Sequence, residues 1–170
     1  MSMQEKVNAY EKSHDLSRVF AEARRGRNRR WLYVVPEVWD RCIVSTDNPK
    51  LWARARADLV FFVQGGDLAV RRFDASRDGD EKSRLARLDR EVWEIRTQLP
   101  QLGLRIFGRF YEKEKFLGLV WRHKADVVTY EQNRLAIDAC IDVWDRWFPG
   151  ETPITGAHPD DYLLRTHPVP

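Results

Sequence analysis

Between Leu88 and Lys124 the chain reads LDREVWEIRTQLPQLGLRIFGRFYEKEKFLGLVWRHK, three short stretches that alternate apolar residues with polar or charged ones. A period of two sends successive side chains to opposite sides of a strand, so such stretches are satisfied only in a sheet with one apolar side. In the first, Trp93, Ile95 and Leu99 oppose Glu94 and Arg96. In the second, Leu104, Ile106 and Phe110 oppose Arg105, Phe107, Arg109 and Tyr111. The third sets Leu117, Leu119 and Trp121 against Phe116, Arg122 and Lys124. A short polar stretch from Glu112 to Lys115, and a turn with Pro100 and Gly103, join the three into an expected antiparallel meander. One side of it then carries five cations and three aromatic rings around Glu94. Antiparallel sheets often keep one solvated polar side, so these cations do not by themselves establish a ligand.

The rest of the composition narrows the class. A chain of 170 residues is long enough for one buried core. Its formal net charge of +3 is too mild for a nonspecific polycation, so a nucleic-acid signal has to lie in patches. No apolar run approaches a membrane span, and the start MSMQEKVNAYEKSHDL lacks the apolar centre of a signal peptide; a cytoplasmic protein without membrane contact is expected. Cys42 and Cys140 form no CxxC motif, and Cys140 falls on an apolar helical stripe, so neither a disulfide framework nor a zinc knuckle is indicated. The four histidines show no pair at ligand spacing, and neither a metal nor a cofactor is expected.

Upstream of the meander, Ser13 is read as the cap of a helix running to about Arg25, with Leu16, Val19, Phe20 and Ala23 at helical spacing and Gly26 as its end. The run ARRGRNRR from Ala23 to Arg30 holds five arginines in eight residues. Such a run can neutralise several phosphates or simply be solvated. Trp31 to Val35 reads as a short strand stopped at Pro36, and PEVWDRCI as one or two helical turns. Asn48 and Pro49 start a helix that keeps its period through Leu51, Trp52, Ala55, Leu59, Phe62 and Val63 until Gly65 and Gly66. From Asp67 to Leu88 the pattern is weak: Leu68 to Phe73 alternates, RDGDEK is loop-like, and SRLARLD suits a turn or two of helix. Arg71, Arg72, Arg84 and Arg87 there are candidates to line the approach to the sheet. After the meander, Thr129 and Gln132 form a capping box for a helix from Tyr130 to about Trp147, with Ile137, Cys140, Ile141, Trp144, Trp147 and Phe148 as its apolar stripe. The last 22 residues, from Pro149, hold five of the eight prolines and form a tail that wraps the domain or stays disordered. The expected organisation is an extension over 1–30, a domain over 31–148 and a Pro-rich tail over 149–170.

Strand, helix pair, three antiparallel strands and helix, with Trp93-Glu94-Ile95-Arg96, Leu104-Arg105-Ile106, the apolar strand Phe116 to Trp121 and the basic end Arg122-His123-Lys124, resemble the RelE/ParE superfamily of toxins, and its HigB-like and phage-derived branch most. Tyr130 follows Lys124 by six residues, a spacing similar to that of a basic residue and a tyrosine in RelE. The resemblance covers about Trp31 to Phe148; the first 30 residues, the last 22 and the long Asp67–Leu88 region depart from a minimal toxin. It implies an α+β fold, a small antiparallel sheet with a helix pair before the meander and a helix after it. It also implies a toxin of a type II toxin-antitoxin pair that cleaves mRNA on the ribosome, by attack of a ribose 2′-hydroxyl on the adjacent phosphodiester, with a cognate antitoxin as partner.

Such a reaction needs no metal if cations stabilise the phosphorane and some group moves protons. Arg96 and Arg105, on neighbouring strands, are expected to clamp phosphate oxygens with their planar forks. Lys124 is expected as acid, base or electrostatic stabiliser, with Tyr130 and His123 as further catalytic candidates. Arg109 and Arg122 are read as backbone-contacting, and Phe107, Tyr111 and Phe116 as stacking surfaces for unpaired bases. Each has a structural rival: Arg96 can pair with Glu94, Tyr130 is in line with the apolar stripe, and strict alternation puts His123 on the Trp121 side. The same scaffold also suits a binding protein without nuclease activity, such as a gyrase inhibitor or a phage-derived interaction module.

Overall fold

The computed structural model of the chain describes residues 1–21, 28–44, 48–66, 70–71, 85–97 and 103–164. The meander is its centre. Strands β5 (Trp93–Arg96), β6 (Leu104–Glu112) and β7 (Lys115–His123) pair antiparallel, and β6 and β7 run nine residues each. Four shorter strands extend this sheet: β1 (Ser17–Arg18), β2 (Trp31–Val34), β3 (Val70–Arg71) and β4 (Leu85–Arg87), in the order β1-β2-β7-β6-β5-β4-β3. The fold is α+β, but the sheet is mixed rather than small and antiparallel. β2 lies parallel to β7, and β3 parallel to β4.

A bulge decides which side chains share a face. Phe107 pairs with Val120 but Gly108 pairs with Gly118, so Leu119 is an extra residue and the alternation of β7 changes phase there. Gly108 is required at this crossing, since a Cβ would sit 2.0 Å from the Leu117 carbonyl oxygen. Counting strict alternation through β7 therefore misplaces its first half. Phe116 lies with Phe110 and packs edge-on to Phe62, away from the arginines, while Leu117 pairs with Arg109.

Both faces are covered. Helix α2 (Pro36–Trp39), running on into a π-helical turn at Asp40–Val44, and helix α3 (Pro49–Val63) pack on the side of Ile106, Phe116 and Trp121. Asn48 caps α3 by accepting from the Leu51 N–H, and all six residues of its expected stripe are buried. The capping box of Thr129 and Gln132 opens helix α4 (Tyr130–Trp147), whose Ile137, Cys140 and Trp144 are buried over β6 and β7 on the opposite side.

The segments at either end belong to this core. Helix α1 spans Met3–Lys12, capped by Ser2 with Glu5 in a capping box. Ser13 ends it instead of starting a second helix: its hydroxyl donates to the Ala9 and Tyr10 carbonyls, His14 turns at φ 63°, and Ser17–Arg18 is a strand on β2. Leu16 and Val19 are still buried, so their spacing carried the hydrophobic signal but not the element type. Likewise Leu85–Arg87 is a strand on β5 rather than helix, because cross-strand pairing overrides a short local period. Of the run Ala23–Arg30, residues 23–27 lie outside the described ones. Arg30 is buried, with Nε donating to Glu114 Oε2 at 2.8 Å.

The tail wraps the domain as far as Leu164; beyond that it lies outside the described residues. Ile154 N donates to the Phe110 carbonyl and Glu114 N to that of Tyr162, whose ring packs on Trp93 and Phe110. Tyr162 is 1 % exposed, and its hydroxyl donates to Glu91. Tyr162→Ala should therefore cost about 3 kcal/mol, at the low end for a large buried ring, read as a lower urea midpoint with unchanged slope. Burial pushes the thiols of Cys42 and Cys140 up to about 12. At pH 8 neither should react with a thiol reagent until the chain is unfolded, when both should.

Candidate nucleic-acid interface

The register of the meander lines up three arginines. Arg96 on β5 stands opposite Arg105 on β6, which stands opposite Arg122 on β7. Like charges directly across strands are unfavourable, so the row needs an anion. Glu94, 3 % exposed and two residues before Arg96 on the same side, supplies one. Its Oε1 accepts from Arg96 Nε at 2.6 Å, and its Oε2 lies 3.6 Å from Arg105 Nε. Burial lowers the pKa of Arg105, with Glu94 opposing the shift and Arg96 adding to it. Arg122 donates to the carbonyl of Trp121 at 2.7 Å and has no carboxylate partner among the described residues. Among the described residues three guanidinium groups thus face one carboxylate.

Beside the row a cavity of about 890 Å³ opens between the β4–β5 hairpin and the first turns of α4. Glu94 and Arg96 line it from the sheet, Arg87 and Arg90 from the hairpin, Tyr130 and Arg134 from α4. Of the arginines named as possible approaches to the sheet, Arg87 does line this cavity; Arg72 and Arg84 lie outside the described residues, as does the Arg71 side chain. The hairpin turn is unusual. Arg90 and Glu91 both adopt positive φ, at 55° and 58°, where Asn-Gly is the ordinary choice. Contacts from elsewhere hold it: Arg90 pairs with Asp138 of α4, Glu91 with Arg87 and Tyr162, and the Arg90 carbonyl accepts from Arg109 Nη2 at 2.8 Å. Arg90, Arg134 and Asp138 carried no signal in the sequence, because only the contact of hairpin and helix brings them together.

The other expected site residues divide clearly. Tyr130 is 79 % exposed at the start of α4 and lines the cavity with Arg96, so it is not a core tyrosine. Lys124 is exposed in the 3-10 turn after β7, its backbone N–H bonded to the Gly103 carbonyl at 2.6 Å. His123 lies on the opposite face, its ring centroid 5.3 Å from that of Trp121 and 6.4 Å from that of Trp52. The structure does not join it to the arginine row. Phe107 is fully buried and Tyr111 nearly so, under α4 and α1, and neither can stack a base; nor can the buried Phe116. Arg109 is also buried, its guanidinium 5.4 Å from the Trp144 ring, and burial lowers its pKa. It supports the hairpin instead of touching a ligand. Among the described residues no group of histidine, cysteine and carboxylate side chains is arranged to hold a metal ion, and no helix is long and apolar enough to cross a membrane.

Glu94→Gln removes the one carboxylate that, among the described residues, offsets the row and should cost about 3 kcal/mol. Sulfate should restore more stability to this variant than to the wild type, compared with chloride at matched ionic strength in thermal melts. No family model, curated protein or solved structure matches the chain.

Proposed function

We propose that the protein acts on RNA, as a RelE-like toxin that cleaves mRNA on the ribosome without a metal. The observation that carries this reading is the row Arg96, Arg105 and Arg122, with Glu94 as its one carboxylate among the described residues, beside a cavity that Arg96, Glu94 and Tyr130 line. Arg96 and Arg105 hold the non-bridging oxygens of the scissile phosphate and offset the charge of the phosphorane. The ribose 2′-hydroxyl attacks the adjacent phosphorus, the P–O5′ bond breaks, and the products are a 2′,3′-cyclic phosphate and a free 5′-hydroxyl. One proton leaves the 2′ oxygen and one joins the 5′ oxygen. Tyr130 and Lys124, the exposed candidates near the end of the row, are assigned to those transfers. A cognate antitoxin is the implied protein partner, and the site of action is the cytoplasm. His123 has no role in this scheme.

The second reading is a binding protein on the same scaffold. It is favoured by Arg96 being tied to Glu94 and by the burial of the rings expected to stack bases. Primer extension on cellular mRNA after induced expression separates the two. Wild-type protein should give new 5′ ends within translated regions and arrest growth, and Arg96→Ala with Lys124→Ala should abolish both. Intact mRNA and equal growth would sink the nuclease reading, and a stable protein partner that co-purifies with the wild type would then favour the second.

A further inference from the structure

Away from the arginine row, at the β1–β2 edge of the sheet, another cation sits among aromatic rings. The guanidinium carbon of Arg18 lies 3.4 Å from the centroid of Trp31 and 4.7 Å from that of Phe20. Tyr33, in register with Arg18 across the two strands, is 6.0 Å away and stacks beside Trp31. Tyr33 is bound into the core, and its hydroxyl bonds to Glu11. Phe20, by contrast, is 55 % exposed. Arg18 has no carboxylate partner among the described residues, and its guanidinium lies against the faces of Trp31 and Phe20. Arg29 is exposed on the same connection between β1 and β2, and Ala21 N bonds to Asn28 Oδ1 at 2.9 Å, so the two described ends of that connection meet here.

We propose that Phe20, Arg18 and Trp31 form a stacking platform for an unpaired base of single-stranded nucleic acid. An exposed ring beside a guanidinium that has no carboxylate partner among the described residues suits a ligand with both a flat π surface and a phosphate, and single-stranded nucleic acid offers the two at each nucleotide. The platform goes beyond the proposed cleavage and does not depend on it. In the strand order β2 and β7 lie between β1 and the β6 and β5 that carry Arg105 and Arg96.

Fluorescence anisotropy with labelled single-stranded oligonucleotides, RNA and DNA in separate arms, tests it on the full chain over a range of salt. Binding is expected in at least one arm. Phe20→Ala should weaken it about five-fold or more, the smallest effect of losing one base–aromatic stack, and leave the salt slope unchanged. Arg18→Gln should weaken binding and reduce the slope by about one, whereas Arg18→Lys should keep the slope and lose affinity. Phe20 is exposed, so its variant should keep the wild-type melting temperature. The assignment is overturned if wild type binds neither oligonucleotide, if duplex binds more tightly than either, or if Phe20→Ala and Arg18→Gln both bind like wild type. Retained binding in Arg96→Ala, with the Phe20 effect intact, separates this platform from the arginine row.

Discussion

The pairing of β6 with β7 is the constraint on which the other elements depend. Nine residues on each strand give a ladder long enough to carry β2 on one edge and β5 on the other, and the buried residues of both strands meet helices on either face. A regular ladder would leave each side with one phase throughout. The extra residue Leu119 breaks that, so β7 gives Phe116 to the α3 side at its start and Arg122 to the other side near its end. Without the bulge, a ring would occupy the arginine side and the core over α3 would lose its contact with Phe62. Gly108 makes the close approach of the two strands possible at the crossing, where a methyl group would meet a carbonyl oxygen.

That division explains why the positive surface is small. Helices α1 and α4 lie over the middle of the arginine side and bury Phe107, Arg109 and Tyr111. What remains accessible is the end of the meander and the cavity beside it. Within that region most cations already have partners, Arg87 with Glu91, Arg90 with Asp138 and Arg134 with Glu131. The unbalanced part is narrow, a single row in which, among the described residues, Glu94 serves two arginines and Arg122 has no carboxylate. Its positive charge is a local excess and not a broad field, in keeping with a chain whose net charge is only +3.

Much of this was legible in the sequence, and the reasons for the failures are physical. Helices α3 and α4 announce themselves through Asn48-Pro49 and through Thr129 with Gln132, because caps are local hydrogen-bonding requirements and both helices carry a long apolar period. The row Arg96, Arg105 and Arg122 follows from alternation, since the bulge at Leu119 lies earlier in β7 than the residues paired with the row. Strands of two or three residues, β1 and β4, have too few side chains to set a period, and their type is decided by the partner strand. The burial of Phe107 and Arg109 depends on where α4 comes to rest, and the cavity on how the hairpin meets it, so neither has a signature within any one stretch of chain.

The turn at Asp89–Glu91 has a further meaning for how the molecule works as one object. Two consecutive residues with side chains in the left-handed region store on the order of 1 kcal/mol or more each, and the backbone would relax if left alone. It is held by Asp138 from one helix, Arg109 from a central strand and Tyr162 from the C-terminal wrap. The rim of the cavity is thus written by three distant parts of the chain. Its width is a collective property, and a change in the tail, about 70 positions away in sequence, reaches the cavity wall through the bond of the Tyr162 hydroxyl to Glu91 and that of Arg87 to the Gly156 carbonyl.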